Sequence, residues 1–289
     1  MENKKYKYEK AELCKYFVEA LDKAFTNYIL KFREAKDFFS ESSVHDLRVA
    51  VRRLLSLISL IEGIAKSSNN TSLRKYLKAQ LDMFSELRDT QVQLIRAHNL
   101  KHDYPALGLF FQFLQYRETK LIKILKAEIL SIDETDIEGE IFFLKMEIKK
   151  PVLIDFFTIN EININIDKTY NKLIKRYQNV NPLEPDTIHK VRIAFKPFRY
   201  KMEILRNILN LNDIIFSKFK SFQTLLGDIQ DCHVFISNYN EFINKQKAFP
   251  VDLFVNSMEL LKQTQEKLIE KFMTESKNIY YFKNYYEIK

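Results

Sequence analysis

Two stretches of this sequence place a histidine and cations at matching spacing. The first is His45-Asp-Leu-Arg48-Val-Ala-Val-Arg52-Arg53, the second His189-Lys-Val-Arg192-Ile-Ala-Phe-Lys196-Pro-Phe-Arg199-Tyr200. In each, a cation follows the histidine at the third and the seventh position. A helix advances 3.6 residues per turn, so these side chains share one face. Arginine offers a planar fork of donors that fits phosphate oxygens, and a histidine near a helix start adds another donor. Like charges stacked on a face repel by a few tenths of a kcal/mol per pair, so a chain that carries the pattern twice points to a polyanion as its partner. One such helix alone reads as well as a solvated face with scattered ion pairs. Repetition at matching positions argues against that reading.

The elements that must position these residues are helices. Gly (4) and Pro (6) are scarce in 289 residues, and 46% are apolar, which favours long helices with short connections around a buried core. Val44, Leu47, Val51, Leu54, Leu55 and Ile58 give the first cationic helix an apolar stripe, and Ile188, Val191, Phe195, Phe198 and Met202 give one to the second. Pro197 removes a backbone hydrogen bond inside the second helix and predicts a kink.

Markers recur along the chain at nearly constant separation. His45 and His189 are 144 residues apart, Leu87-Arg88-Asp89 and Ile229-Gln230-Asp231 are 142 apart, and Tyr104-Pro105 and Phe249-Pro250 are 145 apart. The expected architecture is therefore all-α: a tandem duplication of two four-helix bundles, over 8–150 and 163–280, in one domain spanning 1–289. In the first half the periodicity predicts helices near 8–38, 43–64, 70–98 and 105–130, with Ser43 and Asp46 at capping-box spacing. In the second half it predicts helices near 167–181, 186–210, 213–246 and 250–275, with Asp186 as an N-cap. The stretch 131–162 reads as an irregular junction and Asn163-Ile-Asn-Ile-Asp167 as connector. The aromatic tail from Tyr280 to Tyr286 either docks or frays.

The net charge of +8 and pI of about 9.1 favour an anionic partner. Cys14 and Cys232 lack metal-ligand spacing and read as small buried residues of a reducing compartment. The first residues lack the apolar core of a signal peptide, and no apolar run reaches the roughly 20 residues a membrane span needs. A cytoplasmic protein is expected, with no membrane partner, no cofactor and no metal.

Asp89 and Asp231 follow Arg88 and Gln230 at equivalent places. They read either as carboxylates that hold a cation of the adjacent helix in its rotamer, the reading preferred here, or as catalytic groups. Asp46 is one residue from His45 and points elsewhere, against metal binding. Lys31 and Lys175 each precede their histidine by 14 residues, and Arg117 and Lys262 match at an offset of 145. These could bring cations of neighbouring helices to the same groove. His98, His102 and His233 read as surface or capping residues. No glycine-rich phosphate loop, metal-ligand helix or nucleophile motif appears, so catalysis is not expected.

The two His/Arg/Lys motifs, together with Leu87-Arg88-Asp89 and Leu226-Gly227-Asp228-x-x-Asp231, resemble the CHAD domain, the conserved histidine α-helical domain, over about residues 8–280. The resemblance implies two pseudo-symmetric four-helix bundles around a basic central channel. It also implies binding of inorganic polyphosphate and association with polyphosphate granules. The channel would be lined by His45, Arg48, Arg52, Arg53, His189, Arg192, Lys196, Arg199 and Tyr200. The sequence departs from the family pattern at Leu55 and Pro197, where basic residues are common. It also lacks the Glu-x-Glu-x-Lys strand of the CYTH-type enzymes to which such domains are often fused. Nucleic acid is the main rival partner, but single-strand binders interleave exposed aromatics with cations, and here only Tyr200 stands in a cationic stripe. An enzyme acting on phosphate chains through Asp89, Asp231 and a metal is the other rival.

Overall fold

The computed structural model describes residues 8–66, 70–129, 132, 134–246, 249–250 and 252–286; the start of the chain, read above as no signal peptide, lies outside them. All regular structure among the described residues is helical. Helix α1 (Lys10–Phe38) opens on a capping box between Glu9 and Glu12, buries Phe17, Leu21, Tyr28 and Phe32, and stops at Phe39, whose φ of 50° is left-handed. Helix α2 (Glu41–Ala65) carries the first motif. Its cap is Ser40, which accepts from the Ser43 amide at 3.1 Å, and not Ser43 with Asp46 as expected. Asp46 turns instead to Lys31.

The helix expected over 70–98 is two, α3 (Thr71–Met83) and α4 (Ser85–Leu100), with Phe84 between them. Helix α5 (Pro105–Glu128) begins at its proline, which suits a first turn. The stretch read as an irregular junction contains α6 (Glu134–Ile148) and the short α7 (Pro151–Ile154). The predicted connector Asn163–Asp167 lies within α8 (Ile159–Gln178), whose buried Ile162, Ile166, Tyr170 and Leu173 follow helical spacing and whose first turn is capped by Thr158.

Helix α9 (Pro185–Ile204) carries the second motif. Glu184 precedes it as the cap residue, and Asp186 lies in the first turn rather than at the cap. The helix runs on through Pro197. Helices α10 (Asp213–Lys245) and α11 (Asp252–Glu275) complete the set, and a 3-10 segment (Ser276–Tyr285) follows. The aromatic tail docks. Phe282 is buried edge-to-face on Phe219 with centroids 5.0 Å apart, and Tyr286 packs on Phe198 and Tyr170.

Neighbouring helices pair as α1 with α2, α4 with α5, α8 with α9 and α10 with α11, and α2 packs on α9 at the centre. The buried core does not divide where the chain was expected to divide, between residues 150 and 163. The larger apolar cluster joins α1, α2, α3, α6, α8, α9 and the tail with one end each of α4, α5, α10 and α11, and the smaller one is formed by the remaining lengths of α4, α5, α10 and α11. Each cluster therefore draws on both sides of that boundary. This packing clamps α2 and α9 on their apolar stripes and leaves their cationic faces to the space between them.

Gly63 on α2 marks a close approach to α8. A β-carbon there would lie 1.6 Å from Asn165 Nδ2 of α8. Asn165 is buried and its Oδ1 accepts from Lys201 Nζ at 2.5 Å. Alanine gains at most about 1 kcal/mol of helix propensity over glycine. Displacing a buried hydrogen bond to a charged group costs about 1.5–3 kcal/mol, so the loss outweighs the gain. Gly63→Ala is therefore expected to lower stability by about 1–2 kcal/mol. Urea unfolding checks this, and a variant at or above wild-type stability contradicts it.

Candidate anion-binding cavity

The N-terminal halves of α2 and α9 meet over a cavity of about 370 Å³, closed on the other side by α4 and α10. From α2 it receives His45, Arg48 and Arg52, and from α9 His189, Arg192, Lys196 and Tyr200. The two motifs thus converge on one space. The facing wall mixes charge: Arg88 and Asp89 on α4, Asp228 and Asp231 on α10, with Gln93, Gln223 and Gln230 between.

The cations divide into held and unheld groups. Arg48 is buried and donates to the Leu81 carbonyl and to Ser85 Oγ at 3.1 Å, across the junction between α3 and α4. Arg88 donates to the side chain and backbone carbonyl of Glu41. Arg52, Arg192 and Lys196, by contrast, make no ion pair with a described carboxylate. Arg192 Nε and His189 Nδ1 are buried without a hydrogen-bond partner. Such orphaned polar atoms cost about 1–3 kcal/mol each unless something fills them.

Titration follows from this crowding. Burial, then the positive charges of Arg192 and Arg52, push the Lys196 ammonium down to about 6, against a weaker opposing pull from Asp231. Burial and the Arg52 charge lower Arg48 to about 10, which leaves it cationic. Both histidines are lowered as well, His45 by burial and Arg88, His189 by burial and Arg192, which favours their neutral forms. Asp89 is reached by water through the cavity yet packed by protein on most sides. Its carboxyl is raised by desolvation, with Arg48 pulling down and Asp231 pushing up. Asp228 is raised by desolvation and by Asp231.

The remaining candidates lie elsewhere, each for a visible reason. Arg199 is drawn to Glu203 one turn on, at 2.7 Å, and Arg53 reaches the same carboxylate at 3.3 Å, so the two share one counter-charge on the flank of the cavity. Lys31 pairs with Glu34 at 2.7 Å and Asp46 at 3.3 Å, and Arg117 with Glu86 at 2.7 Å. Lys175 and Lys262 are exposed and do not line the cavity. The glutamines at 93, 223 and 230 and Asp228 line it without having been singled out as ligands, since none repeats in the other half. Among the described residues no three His, Cys, Asp or Glu side chains come together to hold a metal, and no helix is long and apolar enough to cross a membrane. Cys14 and Cys232 are buried.

Fold and cavity together define an all-helical domain that gathers two His/Arg/Lys motifs around one polar space. The family model for the CHAD domain matches residues 19–238, and the chain belongs to the CHAD domain family. Two solved structures share the fold. The CHAD domain from the plant Ricinus communis superposes with a TM-score of 0.63 at 15% identity, covering 95% of this chain and 91% of that one. PptA from Streptomyces chartreusis superposes with a TM-score of 0.67 at 11% identity, covering 92% and 98%. No curated protein matches the sequence.

Proposed function

We propose that this protein binds inorganic polyphosphate without catalysis, in the cytoplasm, and partitions to polyphosphate granules. One observation carries the reading: Arg52, Arg192 and Lys196 converge from two helices on one water-reached cavity without carboxylate partners. A chain of phosphates supplies closely spaced acceptors, which suits two arginines and a lysine that takes up its proton beside the anion. The neutral histidines add donors without adding repulsion. Asp89 and Asp231, on the wall opposite, act as counter-charges that keep the unliganded cavity tolerable. The family membership supports the same partner.

The test is a titration with polyphosphate of defined lengths, competed by single-stranded DNA and RNA of matched charge. Affinity is expected to rise with chain length until the cavity is filled and to survive excess nucleic acid, because among the described residues Tyr200 is the only Phe, Tyr or Trp in the lining. With about four cations neutralised, counterion release of the single-strand kind gives a fall on the order of 50-fold between 50 and 200 mM salt. Displacement by nucleic acid at equal charge contradicts the assignment. Metal-dependent release of phosphate from the bound chain contradicts the non-catalytic part.

A further inference from the structure

A larger cavity, of about 920 Å³, lies on the other side of α9, bounded by α2, α3 and α8. The two cavities share α9 as a wall. His189, Arg192, Lys196 and Tyr200 face the first, whereas Ile193, Ala194, Pro197 and Lys201, about a quarter-turn round the helix, face the second.

Five lysines line this second cavity: Lys75 and Lys78 from α3, Lys168 and Lys172 from α8, and Lys201 from α9. None of them makes an ion pair with a described carboxylate. The one carboxylate in the lining, Glu62, is taken by Arg74 at 2.5 Å. Four of the lysines are exposed, and such a face alone would be unremarkable solvated charge.

Lys201 makes the difference. It is 94% buried, at 6% exposure, and no acid accompanies it. Its Nζ donates to Asn165 Oδ1 at 2.5 Å and to Thr169 Oγ1 at 2.9 Å. An ammonium carries three N–H donors, so one is left for the cavity that the residue lines. The holder is itself built in, because Asn165 fits only where Gly63 presents no side chain. Burial, with the charges of Arg74 and Lys168, pulls Lys201 down to about 8, and an anion alongside would reverse that.

The flank on the other side of the α2–α9 pair is arranged differently. There Arg53 pairs with Glu203 and Arg206 with Asp213, which leaves only Lys23 of the described lining cations without an ion pair, whereas all five lysines are left so in the cavity between α3 and α8.

We propose that the cavity between α3 and α8 is a second anion site, separate from the motif cavity, that takes a compact anion carrying several adjacent phosphates. Lysines act as point charges that tolerate many phosphate arrangements, unlike the bidentate arginine fork. Among the described residues the lining has no aromatic side chain to stack a base, so the phosphates themselves are recognised. A free oligophosphate offers this chemistry, and a longer chain already anchored in the motif cavity is the competing source that the test separates from it. The site does not depend on the motif cavity binding anything.

Tripolyphosphate is the probe, used on the full chain with two readouts. Amine-reactive labelling read by mass spectrometry is expected to show Lys75, Lys168 and Lys172 protected severalfold, in the wild type and equally in Arg52→Ala/Arg192→Ala. Calorimetry is expected to show the site weakened about tenfold or more in Lys75→Ala/Lys172→Ala, whose changes are on exposed side chains and leave folding intact. Absence of protection in both proteins overturns the proposal. Protection seen only with long polyphosphate, and lost in Arg52→Ala/Arg192→Ala, also overturns it, since the groove is then only a landing surface for a chain held elsewhere. Loss of polyphosphate binding to the motif cavity with tripolyphosphate protection retained leaves this site standing and removes the first assignment alone.

Discussion

Arg52→Ala combined with Arg192→Ala is expected to weaken polyphosphate binding by about 10²–10⁴-fold at low salt and to leave the fold intact. A hydrogen bond to a charged partner contributes about 1.5–3 kcal/mol, and two such losses give about 3–6 kcal/mol, at 1.4 kcal/mol per factor of ten. The fold survives because neither guanidinium holds a described carboxylate, and each burdens the other across the cavity. Arg48 is the contrasting case within the same motif. Its guanidinium bridges the Leu81 carbonyl and Ser85, so Arg48→Ala strips partners from the α3–α4 junction and mixes a stability loss into any binding loss. Fluorescence anisotropy with labelled polyphosphate, paired with thermal melts, separates the two effects. A folded Arg52→Ala/Arg192→Ala protein with wild-type affinity sinks the cavity as the binding site.

The contrast between Arg48 and Arg52 also shows where the sequence stops speaking. Helical spacing places His45, Arg48 and Arg52 on one face, and repetition singles out their counterparts His189, Arg192 and Lys196. Both inferences need only local geometry, and the six do line one cavity. Spacing is silent on which cation meets an acid from another helix. Glu203 claims Arg53 and Arg199, Asp46 and Glu34 claim Lys31, and Glu86 claims Arg117. These are decisions of tertiary packing, so an equal offset along the chain could not reveal them.

Local structure was misread where two periods coincide. Ile162, Ile164 and Ile166 alternate as in a strand, yet Ile164 is 39% exposed and Ile162 and Ile166 are one turn apart on the buried face of α8. The break at Phe84 was invisible because apolar spacing runs smoothly from Leu77 through Leu81 and Phe84 to Leu87. The lysine-lined cavity is not legible in the sequence for a different reason: it is assembled from four helices, and its lysines repeat in no motif.

Lys196→Met is expected to stabilise the free protein and weaken the complex, which ties stability and binding to one side chain. Its folded-state pKa of about 6 lies well below the 10.5 of an ordinary lysine. Between those values the unfolded chain binds the additional proton, so this group makes stability rise with pH from about 6 upward and penalises the fold below. Methionine fills the same space without the charge, and a gain of about 1–2 kcal/mol, or a few degrees in melting temperature, follows at neutral pH. A bound polyanion reverses the balance by favouring the ammonium against Arg192 and Arg52. The complex therefore takes up a proton that the free protein lacks, and wild-type affinity is expected to fall as pH rises, by up to tenfold per unit. His45 and His189 contribute in the same direction, but their share is confined to lower pH. Above about pH 8, where free histidine has ceased to titrate, Lys196 and Lys201 remain, so the slope should shrink in Lys196→Met and what persists belongs to Lys201. Calorimetry in buffers of different ionisation enthalpy measures the proton uptake directly. A pH-independent wild-type affinity, or a Met variant less stable than wild type, means that Lys196 is already charged in the free protein and that its acid neighbour Asp231 outweighs the arginines around it.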